Sequence, residues 1–151
     1  MITGIVPEPR TIFSTLNDAG AYVVADDYAA IGRRVIRNHP EMSPDPWDTL
    51  VELQFCGPPC STRSIEQMRR MDHLLDTFSR SGAAGLIIHE VKFCEPELFD
   101  VPLIQRRFEA KGIPVLFMET ELETELSGQA VTRLEAFVEM LAPVQIDLRS
   151  R

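Results

Sequence analysis

The chain has 151 residues, 44% hydrophobic and 25% charged, with a formal net charge of −8, which suits one soluble domain long enough to bury a core. That acidic balance argues against nucleic acid as a partner, because neutralising phosphates needs a surplus of Lys and Arg; the pairs Arg33-Arg34, Arg69-Arg70 and Arg106-Arg107 read as solvated helix faces. No apolar run approaches the roughly 18 to 20 residues of a membrane span, and the start lacks a signal peptide's basic and apolar regions, so a cytoplasmic location with no membrane partner is expected.

Ile2-Thr3-Gly4-Ile5-Val6 predicts a short strand ended by Pro7, and Pro9 opens a helix with Ile12, Phe13 and Leu16 on one face and Gly20 at its stop. Ala21-Tyr22-Val23-Val24-Ala25 predicts a second strand that ends at Asp26-Asp27, followed by a second helix over residues 28 to 38. Pro40, Pro44 and Pro46 make a loop from His39 to Pro46, and Thr49 to Phe55 is too short for its period to decide between strand and helix. After Cys56-Gly57-Pro58-Pro59-Cys60, a helix is predicted from Ser64 to Ser81 on the spacing of Ile65, Met68, Leu75 and Phe78. Ser64 and Gln67 make its capping box and Gly82 its stop.

Leu86 to Val91 is the third predicted strand and runs into Lys92-Phe93-Cys94-Glu95. Phe99 to Lys111 is predicted helical, with Pro102 in its first turn and Gly112 at its end. Ile113 to Met118 is the fourth strand, with Pro114 near its start. The acidic loop Glu119 to Glu125 leads to Ser127 as N-cap of a helix bearing Val131, Leu134, Phe137 and Leu141, closed by Pro143. No internal repeat or low-complexity tract interrupts this order.

Strand alternates with helix throughout, which predicts a single α/β domain over residues 1–151. Its expected architecture is a three-layer open parallel sheet of four or five strands with helices on both faces, flavodoxin- or Rossmann-like. Ligands of such sheets bind beyond the carboxyl ends of the strands. Glu8, Asp26, Asp27, Cys94, Glu95, Glu119 and Glu121 all fall after predicted strands, although acidic residues are also ordinary helix caps there.

Three cysteines are an odd number for a disulfide framework and leave burial, metal binding and redox chemistry open. Cys94 is either a small buried hydrophobe or a thiol presented to a metal or substrate. Cys56 and Cys60 have three residues between them, one more than in a thioredoxin-like redox pair. A zinc site would have to draw on Cys94, His73 and His89, which have no zinc-site spacing, so both histidines read as structural. Asp26-Asp27 suits acid-base work or the capping of a following helix. No phosphate loop, nucleophile elbow or His-Glu-x-x-His motif occurs.

Several stretches together resemble one family. "FCEPELFDVPLIQRRFEAKGIPVLFMETE" followed by "SGQAVTRLEAFVEML" resembles the C-terminal region of the 2-hydroxyacyl-CoA dehydratase and benzoyl-CoA reductase family. "GAYVVADDYAAIGRR" is similar to its Val-Val-x-Asp-Asp stretch, and "PPCSTR" to its Pro-Cys segment before a long helix. The resemblance runs from about Ile2 to Leu141. It implies an iron-sulfur protein of anaerobic metabolism, built of two-lobed subunits around a four-iron four-sulfur (4Fe-4S) cluster that an ATP-dependent activator supplies with electrons. This chain then corresponds to the C-terminal lobe, with the N-terminal lobe absent.

The resemblance implies that Cys94 is the cluster's iron ligand from this lobe, a role suited to a soft thiolate. Cys60 matches the Pro-Cys segment as a further cluster candidate, while Cys56 has no counterpart. Arg33 and Arg133 match family arginines that would either meet the phosphates of an acyl-CoA substrate or orient loops through ion pairs. Asp26, Asp27, Gln129 and Thr132 match as well. Ile31 replaces a frequent glycine, and Glu121 an aspartate.

The implied activity is acyl-CoA reduction or dehydration, with the wording leaning toward the benzoyl-CoA reductase side. The lobe alone, carrying one matched ligand, is expected to hold little or no cluster and to be inactive. The alternatives are a non-catalytic binding or assembly module of the same fold, and a thiol-disulfide protein using Cys56 and Cys60.

Overall fold

The computed structural model describes residues 1–35, 43–55, 57–63 and 67–142. Its sheet has four parallel strands, β1 (Ile2–Gly4), β2 (Asp26–Tyr28), β3 (Leu86–Val91) and β4 (Val115–Thr120), in the order β2-β1-β3-β4. Helices α1 (Thr11–Asp18) and α5 (Gly128–Leu141) cover one face, and α3 (Gln67–Ser81) and α4 (Glu95–Glu109) the other. This is the three-layer, flavodoxin-like arrangement that the alternation of elements predicts. The remaining helix, α2 (Pro46–Phe55), buries none of its residues.

β3 is central and almost wholly buried, so its side chains divide the core in two. Leu86 and Ile88 pack with Met71, Leu74, Phe78, Ile104 and Phe108 of α3 and α4. Ile87 packs with Ile2, Ile12, Leu16, Leu134 and Phe137 on the α1–α5 face. A strand buried on both faces loses polar alternation, which explains why Leu86 to Val91 is legible from sequence.

Four expectations need correction. β2 begins at Asp26, five residues later than predicted. β1 begins at Ile2, whose amide bonds Ala25 O at 3.0 Å, so among the described residues Ala21–Val24 have no strand to pair with. The predicted helix over 28 to 38 is, where described, a turn and a single 3-10 turn, Gly32–Arg34, and residues 36–42 lie outside the described residues.

α4 starts at Glu95 instead of Phe99, because Pro96 fills the first-turn position and Pro102 stands inside the helix. Glu95 and Glu97 add negative charge where the helix dipole is positive. Finally, α3 turns Met71, Leu74 and Phe78 to the core, whereas Met68 is 50% exposed. Thr49 to Phe55, ambiguous in sequence, is helical within α2.

The helix stops fare better. Gly82 and Gly112 both have positive φ, at 67° and 70°, and Ser127 caps α5 by accepting the Ala130 amide at 3.3 Å. The Ser64 cap and the Pro143 stop lie outside the described residues.

Candidate functional site

In the order β2-β1-β3-β4 the chain reverses its direction of winding between β1 and β3, the switch point at whose carboxyl ends open α/β sheets form their ligand crevice. Thr3 of β1, Asp27 of β2 and Glu90 of β3 meet there, joined by Arg33 of the 3-10 turn, Arg70 of α3 and Glu97 of α4. All six are at most 3% exposed.

The arginines hold this group together. Arg33 grips Glu97 with both arms of its guanidinium, at 2.5 and 2.9 Å, and its Nε reaches Asp27 at 3.0 Å. Arg70 pairs with the same Asp27 oxygen at 2.6 Å and donates to Thr3 Oγ1 at 3.1 Å. Thr3 in turn donates to Asp27 at 2.9 Å. Burial alone would raise the Asp27 carboxyl; the His73 hydrogen bond and the charges of Arg70 and Arg33 outweigh it and hold Asp27 well below the usual carboxylate range. Arg33 is pushed up despite its burial, first by its hydrogen bond to Glu97.

The cluster corrects the reading of the basic pairs as solvated faces. Arg33 and Arg70 are buried, whereas Arg34, Arg69, Arg106 and Arg107 face solvent. Arg33 therefore takes the ion-pairing alternative and lies beneath the surface. Arg133 is exposed on α5, where its Nη2 donates to Phe117 O at 2.6 Å. Asp26 orders the turn, accepting the amides of Gly32 at 2.9 Å and Tyr28 at 3.3 Å.

The cysteines part company. Cys60 is 6% exposed and its Sγ accepts from Arg33 Nη1 at 3.3 Å. Burial opposes ionisation of that thiol, but hydrogen bonds from Thr62 and Arg33 prevail and lower it. Cys94 is half-buried at the N-cap of α4, directly beyond β3. Burial pushes its thiol up, against the Glu97 amide and the Arg33 charge. Phe93 beside it is 90% exposed with φ 67°, a left-handed conformation uncommon for a bulky residue. Cys56 lies outside the described residues.

Both histidines are engaged. His73 Nε2 lies 3.2 Å from Asp27. His89 is fully buried between Tyr28 OH at 2.7 Å and Thr120 Oγ1 at 2.9 Å, and burial lowers it to about 4. It is therefore neutral at pH 7.

Sequence reasoning missed Arg70, Glu97 and Glu90. Arg70 had a signal: it falls on the same helical stripe as Met71, Leu74 and Phe78. Glu97 and Glu90 carried none, since their partners come from distant parts of the chain.

The family described as 2-hydroxyglutaryl-CoA dehydratase, D-component, matches residues 1–141. The chain belongs to that family. It is 32% identical over 139 residues to the (R)-phenyllactyl-CoA dehydratase beta subunit of Clostridium sporogenes, covering 92% of this chain and 37% of that protein. It is 31% identical to the beta subunit of lactoyl-CoA dehydratase from Anaerotignum propionicum, covering 93% of this chain and 38% of the relative. A benzoyl-CoA reductase subunit of Thauera aromatica is 27% identical over 80% of this chain and 31% of its own length. The chain thus spans between 31 and 38% of the length of these relatives.

For a member of the dehydratase family, the donor set bears on the iron-sulfur expectation. Among the described residues no three His, Cys, Asp or Glu side chains are grouped to hold a metal ion. Cys60 is turned into the Arg33 network, which leaves Cys94 as the described thiol with a solvent-facing edge. These residues fit one corner of a cluster.

Proposed function

We propose that the chain forms the C-terminal lobe of a cytoplasmic, cluster-carrying acyl-CoA dehydratase subunit, in which Cys94 supplies one thiolate ligand to a 4Fe-4S cluster. The position of Cys94 carries this reading: a half-buried thiol beyond the carboxyl end of the central strand, beside the crevice, in a chain that matches the family over residues 1–141. When bound, such a cluster supplies one-electron chemistry at a potential set by burial and by hydrogen bonds to sulfur. The remaining ligands come from an N-terminal lobe or a second subunit, and an ATP-dependent activator and an acyl-CoA substrate complete the system. The relatives' names, which designate subunits, support the assembly.

This chain's own residues hold and shape. The paired charges of Arg33, Arg70, Asp27 and Glu97 fix the first turn of α4 under the crevice, and the Glu97 amide donates to Cys94 O at 3.2 Å. Arg133 is exposed and available to CoA phosphates. Dehydration is placed ahead of ring reduction because relatives named as dehydratases are 32, 31 and 28% identical, against 27% for the reductase relative.

Anaerobic reconstitution with iron and sulfide tests the ligand role. The isolated chain is expected to take up little or no cluster, and a stable stoichiometric cluster on it would overturn the one-ligand reading. In the complete assembly, Cys94→Ala is expected to lose cluster iron and acyl-CoA turnover while the fold persists; retained iron would remove Cys94 from the site. A cofactor-free assembly without acyl-CoA affinity would instead identify a binding module. The lowered Cys60 thiol favours the thiol-disulfide alternative, which thiol titration under oxidant would exclude if Cys56 and Cys60 both stay free.

A further inference from the structure

The four paired charges at the carboxyl edge of the sheet balance. Asp27 and Glu97 are matched by Arg33 and Arg70, and all four are buried and linked. Glu90 enters the same space from β3, on the face it shares with Leu86 and Ile88. It is 1% exposed, and neither carboxyl oxygen has a hydrogen-bond partner among the described residues. Ionised, it would add an uncompensated charge to a neutral, desolvated group, and buried carboxyls in that situation keep their proton. Arg70 Nε, in the same cluster, is also without a partner among the described residues. The cluster therefore contains an unused donor and an acid that does not yet need it.

We propose that Glu90 is held as a neutral carboxylic acid and acts as a proton-dependent latch on the cluster. Protonated, it leaves both arginines to Asp27 and Glu97. Ionised, it takes the unused Nε of Arg70 and sets three buried carboxylates on two arginines, which loosens the pairs that anchor the start of α4. The groups facing it are Asp27 from β2, Arg33 from the 3-10 turn, Arg70 from α3, Glu97 from α4 and, in register on β4, Glu119, with Cys94 in the loop beyond within reach of its charge. Burial first, and then the Glu97 charge, raise the carboxyl to about 8, with Arg33 and Arg70 opposing.

Folding then takes up a proton at Glu90 between its ordinary value of 4.5 and about 8, so its contribution to stability is lost as pH rises across that window. Glu90→Gln mimics the neutral acid and cannot ionise. Relative to this variant, the folding constant of the wild-type chain is expected to fall about tenfold per pH unit near neutrality. The Met1 amine, lowered by burial to about 6, acts in the opposite sense, so the difference between the two proteins is the quantity to read.

Denaturant unfolding of the full chain across neutral pH measures it, and parallel profiles for the two proteins would overturn the latch. Carbon-13 NMR of glutamate carboxyls in the wild type gives a reading that does not depend on the variant folding. One glutamate titrating near 8 is the expected result, and every glutamate titrating in the ordinary acidic range would overturn it.

Discussion

Two residues at the edge of the sheet are held at opposite energetic extremes. Arg33 is buried with two carboxylates on it, so Arg33→Met would leave Asp27 and Glu97 to share the single charge of Arg70, with one buried negative charge uncompensated. We expect a loss of about 3–5 kcal/mol by urea denaturation, the cost of breaking a buried ion pair from one side. Arg133→Ala, on an exposed helix face, should cost within about 0.5 kcal/mol. Phe93 is the reverse case: exposed, and in a left-handed conformation that an L side chain adopts at a cost. Phe93→Gly should leave stability unchanged or raise it by up to about 1 kcal/mol in the same measurement. The sequence signals neither extreme, because Arg33 and Phe93 differ from their neighbours only in what surrounds them after folding.

At the scale of elements, the short strand β1 admits little change. A Cβ built on Gly4 would lie 1.9 Å from His89 O in the neighbouring strand, so Gly4→Ala must push β1 from β3 at the centre of the sheet. The expected outcome is a large loss of thermal stability, read by circular dichroism, whereas Gly20→Ala, with open space but φ 85°, should cost only its backbone strain. Elements with a complete local signal were legible: β3 through its unbroken apolar run, α5 through its Ser127 cap, and α3 and α4 through their stopping glycines. β2 was not. Its best β-forming residues, Tyr22 to Val24, precede the pairing, and which residues pair is decided by where β1 begins. α4 was misplaced because two prolines competed for one first turn.

For the whole molecule, the pH dependence sums opposed groups. Asp27 is depressed below its ordinary 3.8, so its contribution is present above that value and lost as the pH falls further. His89 is depressed from 6.5 to about 4, and its contribution is lost as pH falls through that interval. Glu90 acts in the other direction from 4.5 to about 8. The wild-type chain should therefore show a nearly level stability profile where His89 and Glu90 overlap, and a steep fall below about 4. In Glu90→Gln the slopes of the Met1 amine, lowered from 8.0 to about 6, and of His89 should emerge, so that stability declines with acidification from about 8; urea midpoints across pH check both statements.

The sequence by itself determined the alternation of strand and helix, hence the parallel three-layer sheet, and the family, because both are written in local patterns and ordered motifs. It also placed Cys94 after the central strand. Only the tertiary structure decided which charges are buried and with whom. Asp27, Arg33, Arg70, Glu90 and Glu97 lie up to 70 residues apart, and no local period records that their side chains converge on one desolvated crevice. Pairing and protonation there depend on the summed field of five groups from five elements, a quantity that exists only once the sheet has brought them together.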